Sequence, residues 1–392
     1  MNFSGSIDFS PKIISALRHY STARFKSDLI AGIVVGIVAL PLAIAFGIAS
    51  GVSPTVGLTT AIIGGFIVSA LGGNSVQIGG PTGAFIIIVY SIIQQYGLEG
   101  LGVATFMAGI MLVAMGLFHL GTVIKFIPYP IVVGFTAGIA LTIFSTQIND
   151  FFGLGLADVP GAFISKWGVY FEHIGDISWT TLAVGAVSLA IIVLTPRISK
   201  RLPGALMAIV VVTAGVALLH SLIPEFAVET IGNRFGDMET DLPAPQTFAW
   251  DMEVINNLMP WAFTIAVLAA IESLLSATVA DGVTGSHTNS NTELIGQGAA
   301  NIVVPFFGGI PVTGAIARTM TNISNGGRTP VAGVVHAVVL LLIFLFAMPL
   351  INHVPMACLA AVLIVVAYNM SGWRTLVAIF HTHRSDISVL LV

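Results

Sequence analysis

The chain has 392 residues, of which 56% are hydrophobic and only 8% are charged, and its formal net charge is -4. A soluble domain carries about 25% charged residues, so this composition excludes a water-exposed globular protein. The small net charge gives no reason to expect nucleic acid as a partner. The single cysteine, Cys358, lies in an apolar run, so no disulfide or cysteine-based metal site is predicted. The first 28 residues lack an apolar h-region, so no cleavable signal peptide is expected.

Apolar segments of about 20 residues, the length that crosses a bilayer as a helix, recur along the chain. Twelve spans are predicted, and a thirteenth begins near residue 386. Their bounds are 29–50, 55–72, 78–96, 100–120, 127–148, 178–195, 205–223, 258–281, 291–307, 311–325, 330–350 and 354–370. The polar stretch 286–291 is predicted to be a cytoplasmic loop between spans 8 and 9.

Lysine and arginine alternate between dense and sparse loops, which predicts the orientation by the positive-inside rule. With the N-terminus inside, the inner segments hold Lys12, Arg18, Arg24, Lys26, Lys125, Arg197, Lys200, Arg201, Arg328, Arg374 and Arg384. The outer loops hold only Lys166 and Arg234, and the long outer segments 149–177 and 224–257 are acidic. We therefore predict a multi-pass protein of the cell membrane with a cytoplasmic N-terminus.

Spans 3 and 10 differ from the others because glycine and proline crowd their starts. Span 3 opens with GGPTGA at 79–84, and span 10 opens with GGIPVTGA at 308–315. This density predicts a short extended strand followed by a half-helix, rather than a full helix. Non-helical backbone at membrane depth survives only where it is buried in protein or lines a cavity.

The similarity of these two openings indicates an internal repeat. The spacing between them also separates the starts of spans 1 and 8, and Ile127-Pro128 at span 5 recurs as Val354-Pro355 at span 12. A repeat of seven spans is odd in number, so the second copy must be inverted, an arrangement typical of transporters with a site at the midplane. We predict an all-α membrane protein of the 7+7 inverted-repeat type. Its last two spans are expected to be missing from this chain.

The inverted repeat points the N-termini of the two half-helices toward each other near mid-membrane. Unsatisfied N–H groups and the positive end of the helix dipole make each N-terminus a potential anion-binding site. Substrate-binding residues are predicted at Thr82, Gly83, Ala84, Thr313, Gly314, Ala315 and Ile316. The alternative is that the glycines only allow close helix packing, as is expected for Gly32 and Gly36 and for Gly134 and Gly138.

Two ionisable side chains lie in this region. Glu272 sits in the middle of span 8, where a charged carboxylate costs about 2.5–3.5 kcal/mol, so a role in carrying a proton or binding Na⁺ is predicted for it and for Ser276 one turn away. The alternative is a structural carboxyl bonded to nearby backbone. Arg318, in the first turn of half-helix 10, is predicted either to attract the anion or to pair with Glu272.

From about residue 22 onward the chain resembles the sulfate permease (SulP) family. The motifs that carry this resemblance are ALPLAIAF at 39–46, GGPTGA at 79–84, ESLLS at 272–276, the stretch 308–318, and NGGRTP at 325–330. The resemblance implies fourteen spans, with a core domain of spans 1–4 and 8–11 that moves against a gate domain in elevator fashion. It places the anion between Thr82 and Ala315, allows a homodimer, and implies a C-terminal STAS domain, which is expected to be missing from this chain.

Two departures from the family pattern bear on coupling. Sodium-coupled bicarbonate members have Asp and Thr where this chain has Glu272 and Ser276, which weakens the sodium reading and favours a proton. Prestin-like members have Ser-Arg where this chain has Ala317 and Arg318, so only the arginine carries over. The implied domains are a cytoplasmic N-terminal segment (1–28), core spans 1–4 with the first gate span (29–150), gate spans 6–7 with acidic outer loops (151–257), core spans 8–11 (258–350), and gate span 12 with the start of span 13 (351–392).

The predicted function is secondary active transport of a small anion (sulfate, bicarbonate or a dicarboxylate), by proton-coupled symport. A nucleobase/proton symporter of the same architecture and an anion channel are the alternatives. No Ser/His/Asp, Cys/His or P-loop arrangement stands out, so an enzyme is not expected and no cofactor is predicted. The expected partners are the anion and membrane lipid.

Overall fold

The computed structural model describes residues 9–18, 20–122, 129–157, 159–199, 202–223, 225–236, 243–248 and 250–379. Within them, eight helical segments are long and apolar enough to cross a membrane. The predicted entry to span 5 at Ile127 and Pro128, and the helix predicted to begin near 386, lie outside the described residues.

The described residues up to 236 form ten α-helices and one strand. They are α1 (Lys12–Leu17), α2 (Thr22–Ala49), α3 (Pro54–Leu71), β1 (Gly79–Gly80), α4 (Ile86–Leu117), α5 (Tyr129–Thr146), α6 (Ile148–Phe152), α7 (Phe163–Glu172), α8 (Trp179–Ile198), α9 (Gly204–Leu222) and α10 (Ile231–Phe235). A 3₁₀ turn, Gly83–Phe85, leads into α4. Gly97, at φ 67°, interrupts α4 at the boundary predicted between spans 3 and 4, because glycine adopts this left-handed conformation at little cost.

From residue 243 onward, the part of the chain that the structure describes forms six α-helices and one strand. They are α11 (Met252–Thr284), α12 (Ser290–Val303), β2 (Thr313–Gly314), α13 (Ile316–Ser324), α14 (Val331–Ile351), α15 (Met356–Met370) and α16 (Trp373–Ile379). Asp251 caps the start of α11 through Glu253 N–H, and Gly285 ends that helix in the left-handed conformation typical of a C-cap.

The loop predicted at 286–291 is shorter than expected. Asn289 caps α12 by accepting the N–H groups of Asn291 and Thr292, so Ser290 and Asn291 are buried residues of the helix. Asparagine is among the strongest N-cap residues, and that local signal outweighed the polarity of the stretch. α12 is also too short to cross a bilayer by itself, and a 3₁₀ turn, Val304–Phe307, extends it.

The two predicted strand–helix breaks are present, and their strands pair with each other. β1 and β2 run antiparallel, with Gly79 opposite Gly314 and Gly80 opposite Thr313. Antiparallel pairing agrees with an inverted repeat. The pseudo-two-fold axis that relates the two repeats lies in the membrane plane, so equivalent strands of the two repeats run in opposite directions. Each strand leads directly into a half-helix, the 3₁₀ turn and start of α4 in one case and α13 in the other.

The chain divides into two compact units. The first contains residues 1–43, 54–126 and 242–342, and the second contains residues 44–53, 127–241 and 343–392. Both strands and both half-helices belong to the first unit. In this unit Gly32 and Gly36 pack closely on Val335 and Val339 of α14, as predicted, whereas the space beside Gly138 in the second unit is open within the described residues.

A buried carboxylate fixes the segment that leads into β1. Glu293 of α12 is fully buried and accepts the N–H groups of Gly73 (2.8 Å) and Asn74 (3.0 Å), together with the side-chain amide of Gln297 (2.8 Å). A side chain on Gly73 would collide with the backbone of Asn289, so α12 lies directly against this turn. These bonds anchor one end of the strand segment at the site.

Candidate functional site

Side chains from three helices hold the two strands in place. Asn301 of α12 donates to Val312 O and accepts Val312 N–H, both at 2.8 Å, and Thr60 of α3 accepts Ile310 N–H at 2.9 Å. On the other strand, Thr319 of α13 accepts Ile78 N–H at 3.1 Å. Asn322 of α13 holds the same segment, because its side-chain amide donates to the carbonyl oxygen of residue 76. These bonds pair backbone groups that the short strands leave without a partner in the other strand.

These supporting residues were not among the predicted site residues. One signal for them was available in the sequence, because polar side chains such as Asn301 are rare within membrane spans and usually face the protein interior. Their partners depend on strand pairing between distant segments, which the sequence pattern does not specify.

Replacing Thr319 by valine is expected to lower the stability of the protein. The change keeps the side-chain volume but leaves the buried Ile78 N–H without an acceptor, which costs about 1–3 kcal/mol. Thermal unfolding of the detergent-solubilised protein measures this loss. Thr321→Val is the matched control, because that hydroxyl bonds only to Ala317 O of its own helix. An equal melting temperature for the two variants would show that the Thr319 bond does not hold β1.

The half-helix that begins at residue 83 presents free backbone donors. Thr82 precedes it in an extended conformation (φ -131°, ψ 161°), and the first bond of the turn runs from Phe85 N–H to Thr82 O at 3.3 Å. The N–H groups of Gly83 and Ala84 precede that bond, and the N–H of Thr82 has no acceptor within the described residues. Three consecutive amides at this end therefore have no acceptor in the part of the chain that the structure describes.

The opposite half-helix differs from the prediction. Gly314 N–H donates to Ser273 Oγ at 3.2 Å, and Ala315 N–H donates to Ile78 O at 2.9 Å, so neither amide is free for an anion. Both are used because β2 must be joined to α11 and to β1. The free amides begin one residue later at Ile316, since the first i→i−4 bond of α13 runs from Thr319 N–H to Ala315 O.

The two threonines predicted at the site have different environments. Thr82 donates its hydroxyl hydrogen to Glu272 Oε2 at 3.0 Å. Thr313 is fully buried, donates to Ala269 O at 3.0 Å and contacts Ser273 Oγ at 2.7 Å. Thr82 therefore joins the half-helix to the carboxyl of α11, whereas the Thr313 hydroxyl anchors β2 on the same helix.

The other predicted side chains separate in the same way. Glu272 is half-buried and bonded to Thr82, whereas Ser276 is buried and contacts Thr319 Oγ1 at 3.4 Å. Arg318 is 2% exposed and donates through Nη2 to Pro81 O at 2.5 Å. Within the described residues no ion pair forms between Arg318 and Glu272, so the predicted pairing of these two residues is not present.

The geometry combines two sets of free amides with a carboxyl group and a guanidinium. The amides of residues 82–84 and those from Ile316 onward lie at the positive ends of helix dipoles, which favour an anion. Glu272 and Arg318 both contact the Pro81–Thr82 segment, since one bonds the Thr82 hydroxyl and the other bonds the Pro81 carbonyl. Such an arrangement can bind an anion and couple its binding to the charge of the carboxyl group.

Comparisons of the sequence and of the fold with known proteins lead to the same family. The model of the sulfate permease family matches residues 25–392. YvdB of Bacillus subtilis is 46% identical over 371 residues, which make up 95% of this chain and 69% of YvdB. The transmembrane domain of BicA, a cyanobacterial bicarbonate transporter, is 30% identical with a TM-score of 0.86, over 95% of this chain and 94% of that domain.

A more distant structure shows the shared fold. The murine Slc26a9 anion transporter in the inward-facing state is 18% identical, with a TM-score of 0.85 over 100% of this chain and 69% of that protein. The resemblance inferred from 79–84, 272–276 and 308–318 is confirmed, and so is the expectation that the chain is not an enzyme, because the family consists of transporters. The chain belongs to the sulfate permease family and is a multi-pass membrane transporter with the 7+7 inverted-repeat fold.

Proposed function

We propose that this protein is a secondary active transporter that imports a small anion (sulfate, bicarbonate or a dicarboxylate) together with protons. The observation that carries the proposal is the bond between Thr82 at the half-helix N-terminus and Glu272 in α11, at 3.0 Å. This bond places a group that can bind a proton beside a group that can bind an anion.

Several observations support an anion as the substrate. The free amides of both half-helices are donors, and each helix end contributes roughly 0.3–1 kcal/mol when exposed and up to about 2 kcal/mol when partly buried. YvdB carries a provisional name as a sulfate transporter, and BicA is a bicarbonate transporter. Amides and dipoles attract charge without reading the shape of an anion closely, so the family members can differ in substrate.

Protonation of Glu272 would favour anion binding in two ways. A charged carboxylate beside the half-helix N-terminus at Thr82 repels an anion that binds there. This repulsion is strong where water is excluded. In addition, the ionised carboxylate accepts the Thr82 hydroxyl hydrogen, so this hydroxyl cannot donate to an anion. Once protonated, the carboxyl can donate its own hydrogen to Thr82 Oγ1, which releases the threonine hydroxyl hydrogen for the anion. Proton and anion then bind cooperatively.

Sodium remains the alternative coupling ion. The Ser276 hydroxyl donates its hydrogen to Thr319 Oγ1 at 3.4 Å, so its oxygen lone pairs could still face a cation. The proton is preferred because this chain has Glu272 and Ser276 where the sodium-coupled bicarbonate members of the family have Asp and Thr.

For the transport step we propose an elevator mechanism. Thr82, Glu272, Arg318 and both strands all lie in the first compact unit. An anion-binding site built within one compact unit can move as a rigid body together with its anion. The hydrogen bonds that form the site need not break during this movement. The first unit would then be the moving core domain, and the inward proton gradient would set the direction of import.

Uptake of labelled sulfate, bicarbonate and fumarate into proteoliposomes tests the function. We expect one of these anions to accumulate under an inward proton gradient and to equilibrate without accumulation when the gradient is absent. An inward sodium gradient at constant pH is the matched comparison, and accumulation there would assign the coupling to sodium. Uptake of uracil with no uptake of any anion would favour a nucleobase symporter instead. Fluxes far above carrier turnover would indicate a channel.

A further inference from the structure

The guanidinium of Arg318 is directed at the backbone rather than at a carboxylate. Arg318 is 2% exposed, and its Nη2 donates to the Pro81 carbonyl oxygen at 2.5 Å. The strand makes room for it at Gly80, where a side chain would occupy the position of the guanidinium. Gly80 also has φ 148°, a conformation that residues with a side chain rarely adopt. The strand is therefore shaped around the arginine.

The bond to Pro81 O determines where the next amide points. The peptide between Pro81 and Thr82 is planar and trans, so its C=O and N–H point in opposite directions. Because the carbonyl faces Arg318, the Thr82 N–H faces away from it. That N–H has no acceptor within the described residues, and it precedes the free amides of Gly83 and Ala84.

We infer that Arg318 is a positioning residue for anion binding, which holds the Pro81–Thr82 peptide so that the Thr82 N–H faces the anion and donates more strongly to it. A charge-assisted hydrogen bond to the carbonyl draws electron density through the peptide and so polarises the N–H at its other end. This inference rests on the proposed function, because it assumes that an anion binds at the half-helix N-terminus beside Thr82.

Two other roles for Arg318 fit the geometry less well. A direct ligand would have to reach the anion, but this side chain is 2% exposed and its Nη2 bonds Pro81 O, while Nη1, which has no partner within the described residues, packs against Gly80. A partner for Glu272 would lie within ion-pair distance of the carboxylate, and within the described residues it does not. A role as a distant positive charge would not need the short bond to the carbonyl.

A double-mutant cycle on the full-length protein tests the inference. One change is Arg318→Gln, and the other replaces Thr82 by its α-hydroxy analogue, which turns the amide into an ester and removes the N–H. We expect each change alone to raise the KM for the transported anion about 10-fold with kcat within about twofold, the size expected for one hydrogen bond to a charged group. Both together should raise KM no further, because both remove the same polarised donor.

The matched control is an ester at Gly83, which removes the neighbouring N–H. The carbonyl of that peptide, Thr82 O, accepts Phe85 N–H rather than Arg318, so its effect should multiply with that of Arg318→Gln. If the effects of the Thr82 ester and Arg318→Gln also multiply, Arg318 acts independently of this peptide and the inference fails. A wild-type protein that takes up no anion would overturn the proposed function as well.

Arg318→Lys replaces Arg318→Gln in the cycle if the glutamine variant is not monodisperse. Lysine keeps the charge but offers a single flexible ammonium in place of the planar donor set. We expect its KM to lie between those of the wild type and the Thr82 ester. A wild-type KM would show that charge alone suffices, and this result would also contradict the inference.

Discussion

Replacing Glu272 by glutamine is expected to abolish the stimulation of anion uptake by an inward proton gradient. Glutamine keeps the shape and the hydrogen-bonding capacity at Thr82 but cannot take up or release a proton. Coupling free energies between two sites are typically about 1–3 kcal/mol, so the stimulation should fall by roughly 5- to 150-fold. Uptake into proteoliposomes at a series of external pH values measures this change directly.

The sign of the pH dependence follows from the proposed coupling. Wild-type uptake should rise as the external pH falls, whereas uptake by the Glu272→Gln protein should be nearly independent of pH, because its side chain is permanently neutral. Glu253→Gln is the matched control, since Glu253 lies on the same helix but is exposed at its first turn. A Glu272→Gln protein that keeps the wild-type pH response would exclude this carboxyl as the proton carrier.

Replacing Gly80 by alanine is expected to damage both stability and transport. The conformation of Gly80, at φ 148°, costs a residue with a side chain about 1–3 kcal/mol. The new methyl group would also displace the Arg318 guanidinium from Pro81 O, and the loss of a hydrogen bond to a charged group costs about 1.5–3 kcal/mol. A lower melting temperature and a raised KM for the anion are the expected results.

Two comparisons make this prediction specific. Gly282→Ala is the control, because Gly282 lies in α11 with open space around it and alanine favours a helix by about 1 kcal/mol over glycine. In a protein that already carries Arg318→Ala, the guanidinium is absent and Gly80→Ala should cost less. If Gly80→Ala costs the same with and without the arginine, the strain at φ explains the whole effect and the guanidinium is not displaced.

The broken spans show what local sequence signals can predict. Glycine and proline at 79–84 and 308–315 predicted a strand followed by a half-helix, and both features are present. The break at Gly97 agrees with the predicted boundary between two spans. These features depend on the backbone conformations that a few residues can adopt, and glycine and proline determine those conformations locally. The loop predicted at 286–291 was too long at its C-terminal end, because Asn289 caps α12 and the helix begins at Ser290.

The site shows where such prediction stops. Thr82 and Thr313 occupy matching positions in the repeat, yet only Thr82 contacts Glu272. The two halves diverge because Ser273 of α11 accepts the Gly314 N–H, and the pairing of the two strand segments uses the Ala315 N–H. No spacing in the sequence indicates this register, since the strands are far apart in the chain.

The sequence by itself determined that this chain resides in a membrane and where two of its spans break. Hydrophobicity and the conformational freedom of glycine are properties of short segments, so they can be assigned without knowing the fold. The tertiary structure alone decided that Arg318 bonds the Pro81 carbonyl rather than Glu272, and that Thr82 rather than Thr313 bonds the carboxyl. Hydrogen bonds require donors and acceptors within about 3 Å, and only the packing of distant segments brings atoms that close.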